Sequence, residues 1–260
     1  MLSVSSVQLN AWMVMLLWPA ARILAMITVA PLFGHTSVPV TVKLALGMLL
    51  ATAIAPGLPP MPEVAPFSGD GLLVLVQQML IGLAIGFAMR LVFASVELAG
   101  ELAALSMGLS FSSFFDPLSQ AETASVSQFF GWLALMVFIA SNLHLAMLAT
   151  LAKSFVALPV SAAPMGTAPF RLLASYGSHV FALGLQLALP VIAALLVTNL
   201  ALGILNKAAP QLNLFGIGFP VTLGAGFLMI AVALPYLSAP LLAAMEHRLS
   251  QITAALAGAG

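Results

Sequence analysis

The chain has 260 residues, of which 62% are hydrophobic and only 5% charged, with a mean hydropathy of +1.17; soluble domains carry about 25% charged residues, so the class that fits is an integral membrane protein. Seven basic residues balance seven acidic ones, which leaves no electrostatic footprint for nucleic acid or an anionic surface. Cysteine is absent, so disulfides and thiolate chemistry are excluded.

Apolar runs of about 20 residues, the length that crosses a bilayer, fall at 11–32, 38–56, 72–95, 128–151, 177–205 and 217–243. They predict an all-α protein of about six long, partly kinked helices. The first basic residue is Arg22; with no positive leader before it, the first run is expected to be retained. Arg22 falls in mid-span, where a basic side chain costs about 2.5–3.5 kcal/mol to insert, so it is expected to face protein and to have a partner. Pro31-Leu-Phe-Gly34 closes this run and Val38-Pro39 opens the next, which makes an antiparallel hairpin. Lys43, one turn in, can snorkel to the interface. Five prolines between Pro56 and Pro66 then mark a solvated connector.

The third run carries Gly82 and Gly86, a small-xxx-small face suited to close helix approach. A helix continuing from Gly71 to Ser106 would be about 50 Å long against about 30 Å of hydrocarbon. It must project, tilt or break, and Gly100 is the expected weak point. Arg90, Glu97 and Glu101 follow at intervals of seven and four, along one stripe. Carboxylates at i, i+4 repel unless a cation serves both; Arg22 or a basic group of another chain is the expected cation, and a water-exposed extension is the alternative.

The next stretch, Gly108, Leu109, Ser110, Phe111, Ser112, Ser113, Phe114, Phe115, Asp116 and Pro117, is small, hydroxylated and aromatic. Serines compete with helical hydrogen bonding, and three rings avoid bulk water. Irregular backbone at membrane depth is tolerated only where it is buried in protein or lines a cavity. One reading puts the segment in a pathway; the other makes it a short re-entrant helix with Phe111, Phe114 and Phe115 packed on neighbours. Farther on, Ser141-Asn142 and His144 lie at the end of the fourth run, Pro190 is expected to kink the fifth, and a polar turn contains Lys207, Pro210, Gln211 and Asn213. That turn cannot face lipid. Gly224 and Gly226 are expected to serve close packing in the sixth run and Pro235 and Pro240 to break it, before a short amphipathic tail with Glu246, His247 and Arg248.

No Gly-Lys-Ser/Thr phosphate loop, His-Glu-x-x-His site or Gly-x-Ser-x-Gly elbow is present. No catalytic, cofactor-binding or metal site is therefore expected. A secondary transporter usually has two matching halves, whereas here the charges concentrate in the first half. The two remaining classes are a structural and gating subunit of a larger channel and a self-contained solute transporter or channel.

Arg22 with Pro31-Leu-Phe-Gly34 and Val38-Pro39, Gly100-Glu101, Met107-Gly-Leu-Ser110 with Phe115-Asp-Pro117, and above all Ala209-Pro-Gln-Leu-Asn-Leu-Phe-Gly-Ile-Gly-Phe-Pro220 resemble the FliR family of flagellar export-gate proteins. The likeness covers essentially the whole chain. It implies a subunit of the flagellar type III protein export apparatus in the bacterial inner membrane, at the basal body, with part of the assembly on the periplasmic side. The implied partners are FliP-like and FliQ-like membrane subunits, FlhB and FlhA, with membrane lipid around the assembly and exported flagellar proteins as cargo. It also implies one export-gate domain over residues 1–260, about 1–185 resembling a FliP-like part and about 186–260 a FliQ-like hairpin, built to join a helical multi-subunit assembly. Gly108 to Pro117 would be a pore plug with Phe111, Phe114 and Phe115 as blocking rings. Lys207 to Asn213 would be a cytoplasmic turn near FlhB, and neighbouring subunits would answer the charges at Arg22, Arg90, Glu97 and Glu101. This sequence departs from the family pattern at Ser106, often glutamine, and at Lys207, often arginine, which keeps the charge but loses bidentate geometry. A virulence-associated paralogue shares the architecture; Phe215–Pro220 and Pro31–Gly34 favour the flagellar branch.

Overall fold

The computed structural model describes residues 6–59, 61–62, 64–109, 121–161, 166–209 and 214–258, side chains at 6–13, 121–124, 168–170 and 214–217 aside. Ser110 to Pro117 and Pro210, Gln211 and Asn213 lie outside the described residues. The helices are α1 (Ser6–Val29), α2 (Val40–Ile54, followed by a 3-10 turn at Ala55–Gly57), α3 (Gly69–Ser106), α4 (Ala121–Ala140), α5 (Leu143–Ala157), α6 (Ala168–Ala208) and α7 (Leu214–Ala257). Among the described residues there is no strand, as expected of an all-α membrane protein.

Four segments are long and apolar enough to cross a membrane, Val40–Gly57, Gly69–Ser106, Arg171–Ala208 and Gly218–Ala257; a fifth results when α4 and α5 are counted as one broken span. The break within the expected run 128–151 lies at Ser141-Asn142, both exposed, where Asn142 has φ 55°. Asparagine tolerates this left-handed conformation, which a right-handed helix cannot continue through. Gly100, by contrast, does not break α3, which runs unbroken for 38 residues. Val74, Gln78, Ile81, Ile85, Ala88, Val92, Val96, Ala99, Ala103 and Met107 are all buried, a helical stripe sustained along the whole element. Nor do Pro235 and Pro240 break α7, which also contains Pro220 and continues as one helix through the expected separate tail; membrane helices accommodate proline when neighbouring groups re-satisfy the freed carbonyls.

The chain folds as two compact units. The first comprises Met1–Leu91, Asn142–Tyr176 and Met245–Gly260, and the second Val92–Ser141 and Gly177–Ala244. They interleave along the chain, and α3, α6 and α7 pass from one to the other. In the first unit, buried Trp18, Ile23, Met26 and Ile27 share the core with Ile81, Ile85, Met147 and Phe155. There α1 lies directly on the Gly82–Gly86 face: a Cβ at Gly82 would overlap the Arg22 carbonyl oxygen, and one at Gly86 would stand 2.8 Å from the Met26 carbonyl oxygen. The second unit is centred on the C-terminal part of α3, with Phe93 packed edge-to-face on Phe138 of α4 at 5.7 Å. A Cβ at Gly100 would come within 2.7 Å of the Ser127 Cα, so this glycine joins α3 to α4.

Candidate functional site

Two places gather the groups that an apolar sequence cannot leave unattended. In the first unit, Arg22 is wholly buried. Its Nε donates to Gln78 Oε1 at 2.8 Å, its Nη1 to Ser154 Oγ at 3.1 Å and its Nη2 to the Leu158 carbonyl at 2.9 Å. The guanidinium carbon lies 4.1 Å from the centroid of the Phe155 ring, within cation–π range. Leu158 caps the C-terminus of α5, the negative end of the helix dipole, so the cation meets an orphan carbonyl with favourable polarity. One planar fork thus links α1, α3 and the end of α5, which a lysine's single nitrogen could not do.

These acceptors correct the expected pairing of Arg22 with Glu97 and Glu101: its hydrogen bonds go to neutral groups of its own unit. Glu101 and Arg90 are exposed and Glu97 half-buried, so of the four charges Arg22 alone is buried within this chain. The reason is register: the small and apolar stripe occupies the covered face of α3 and the charge stripe falls beside it. Glu97 lies along α4, its carbonyl accepting from Ser127 Oγ at 2.8 Å. Elsewhere in the first unit Lys43 Nζ donates to the Gly34 carbonyl at 2.9 Å, and the Arg248 guanidinium lies 4.0 Å from the Tyr176 ring centroid.

The second place is the end of α3, the threshold of the segment expected to be a plug. Gly108 has φ 84°, its N–H donates to the Leu105 carbonyl at 3.1 Å, and the Leu109 N–H reaches back to Ala104 at 3.1 Å. This is a Schellman stop, with glycine at the left-handed position and the two backbone bonds that define the motif. Leu109 and Ala104 are buried, as its apolar contact requires. Met107, fully buried, fits against Gly226 of α7, where a Cβ would overlap its Cγ and approach its Sδ and Cε to 2.8 Å. Thr222, one turn earlier on α7, shares its hydroxyl between the Phe219 carbonyl at 2.9 Å and the Met107 carbonyl at 3.4 Å. Of the two glycines expected to pack in α7, Gly226 does so and Gly224 does not: it is exposed, with nothing within 4 Å of a Cβ built there. Lys207 is exposed in the last turn of α6, where a cation complements the helix dipole.

The profile of the bacterial export proteins, family 1, matches residues 13–248. The flagellar biosynthetic protein FliR of Escherichia coli K12 is 44% identical over 97% of this chain and 95% of its own length, and that of Pectobacterium carotovorum 43% identical over 90% of each. FliR of Bacillus subtilis is 30% identical over 82% of this chain and 83% of its own length. The chain belongs to the FliR family of bacterial export proteins. The matched region of this FliR-family chain takes in both the Arg22 cage and the stop of α3. Several residues that build these places escaped the sequence pattern. Gln78 had a signal, an amide inside an apolar run; Ser154, Leu158 and Thr222 had none. Met107 and Gly108 were visible only as the start of a loop, because a left-handed stop and an irregular segment read alike until φ is known.

Proposed function

We propose that this chain is a structural and gating subunit of the flagellar protein export channel in the bacterial inner membrane, without catalysis of its own. The observation that carries this reading is the bare end of α6. From Leu196 to Ala209 no residue is buried, although the stretch mixes Asn199, Asn206 and Lys207 with Leu196, Val197, Leu200 and Ile204. Lipid would leave the amides and the ammonium group poorly solvated, and water would face a broad apolar strip. Neighbouring helices satisfy both requirements. FliP-like and FliQ-like subunits are the neighbours this reading assigns, with about 1–185 of this chain acting as a FliP-like part and about 186–260 as a FliQ-like hairpin. Lys207, Pro210, Gln211 and Asn213 form the turn offered to FlhB, and FlhA completes the assembly through which unfolded flagellar proteins pass. The flagellar names of the relatives support this branch over the virulence-associated one.

In this reading Gly108 to Pro117 closes the conduit, with Phe111, Phe114 and Phe115 as the blocking rings. Extraction in mild detergent tests the assembly: this chain is expected to co-purify with other hydrophobic chains, and a solitary, monodisperse, functional monomer would overturn the reading. The plug is tested by replacing the three phenylalanines with alanine. Assembly should survive while small ions leak; a variant complex that assembles and stays tight removes the plug role.

A further inference from the structure

We infer that a cavity between α6 and α7 is the docking site for an apolar helix of a neighbouring subunit, one that offers a hydroxyl or amide hydrogen to the carbonyls of Gln186 and Tyr236; this rests on the subunit reading above. The cavity lies within the second unit and has a volume of about 300 Å³, well beyond the water-sized voids of a packed core. Pro190 of α6 and Pro240 of α7 line it, and so do Gln186 and Tyr236, the residues four positions earlier on each helix. Proline has no N–H, and the carbonyl four residues back is the one that loses its helical donor. That carbonyl points along its helix toward the proline, on the face where both residues meet the cavity. Each helix therefore brings one released acceptor to the same place. Gln186, Pro190 and Tyr236 are exposed, Tyr236 by 77%, so the cavity opens outward.

Hydrogen-bond chemistry selects the occupant. Pro190 and Tyr236 lie near the middle of two segments long enough to cross a membrane, Arg171–Ala208 and Gly218–Ala257, where lipid has no donor to give. The Gln186 amide and the Tyr236 hydroxyl carry hydrogens but also oxygens of their own, so with the two carbonyls added the acceptors outnumber the donors. Ser238, the hydroxyl nearest in sequence on α7, donates to the Pro235 carbonyl at 3.1 Å. What the cavity lacks is a donor. Beside these groups Leu185, Leu189 and Val232 are exposed, an apolar rim that a charged occupant would desolvate against. A helix that is apolar apart from a hydroxyl or an amide meets both conditions, and side chains of this kind hydrogen-bond across helices in membranes.

In cells carrying the complete export complex, Tyr236→p-benzoylphenylalanine sets a photoreactive ring at the cavity. Irradiation is expected to join this chain to another membrane protein of the complex; an adduct with lipid alone, or no adduct, overturns the inference. Pro190→Ala combined with Pro240→Ala returns both amides to their helices and removes the demand for an outside donor. This double variant is expected to accumulate in the membrane at the unaltered level, since alanine is the better helix former, while the adduct and the co-purified partner are lost; retention of both overturns the inference. The adduct also locates the partner's donor. Replacing that donor by an apolar side chain of equal size should lower partner yield while the prolines are present and lower it no further once both are alanine. Equal losses in the two backgrounds would make the contact one of shape alone and overturn the donor chemistry. Should the double variant fail to accumulate, the adduct formed with both prolines intact decides. A complex that co-purifies without an adduct at position 236 ends this inference and leaves the subunit reading standing, whereas a functional solitary chain ends both.

Discussion

The Arg22 cage and the bare end of α6 pose the same physical problem and answer it differently. Each sets polar groups in an apolar sequence. Around Arg22 the chain supplies every answer itself: three acceptors from two further segments, an aromatic face and a favourable helix end. Between Leu196 and Ala209 it supplies none by burial, and Asn199, Asn206 and Lys207 stand among exposed leucines, valine and isoleucine. The difference separates what this polypeptide can complete alone from what it leaves to other surfaces. A polar residue in an apolar run is a sign of fold in the first region and, under the proposed function, of assembly in the second, and burial tells them apart.

The strongest way to break the self-sufficient side is Arg22→Met. It removes three hydrogen bonds to a charged group, each contributing about 1.5–3 kcal/mol, and it strands the buried Gln78 Oε1, whereas Ser154 keeps its bond to the Leu151 carbonyl. Such a loss rivals the whole stability of an ordinary domain, about 5–15 kcal/mol. The expected result is failure to accumulate in the membrane, read from steady-state level and from thermal unfolding of the extracted complex. Arg22→Lys should restore little, because charge is kept while the fork is lost; full rescue by lysine would mean that the three acceptors are incidental. Next in size is Gly82→Val, which drives a side chain into the backbone of α1 at Arg22. Overpacking of this kind costs about 1–3 kcal/mol, so a lowered melting temperature with intact membrane insertion is expected. An unchanged melting temperature would show that α1 does not rest on the Gly82–Gly86 face.

Much of this was legible before any coordinates. Hydropathy placed the helices, the Gly82–Gly86 spacing announced a close approach, and a lone arginine in mid-span demanded partners. The errors share one cause. Whether a glycine or proline breaks a helix depends on what lies opposite, and the sequence of one helix does not contain its neighbour. Gly100 was expected to weaken α3, yet it lets α4 approach; Pro235 and Pro240 were expected to interrupt α7, yet the helix continues. Asn142 breaks the fourth run although nothing in its apolar periodicity differs from the runs that stay whole. The Arg22 pairing erred in the same way, since complementary charge pointed to Glu97 and Glu101 while the available geometry offered a glutamine, a serine and a helix end.

The smallest expected effect belongs to an exposed face of α7, and it is the most discriminating. Gly224 lies two residues from Gly226 on α7, and a Cβ there meets nothing within 4 Å. Within the chain, Gly224→Ala should therefore be harmless, or stabilising by up to about 1 kcal/mol, because alanine is the better helix former. If neighbouring subunits cover this face, however, Gly224→Leu should reduce the yield of co-purified partner chains while the extracted polypeptide unfolds at an unchanged temperature. Gly226→Ala makes the contrast sharper, since it should perturb the chain itself through Met107. Two glycines two positions apart would then report on different boundaries, one internal and one between molecules. Equal partner yield from Gly224→Leu and the unaltered chain would assign that face to lipid and leave the bare end of α6 as an assembly surface.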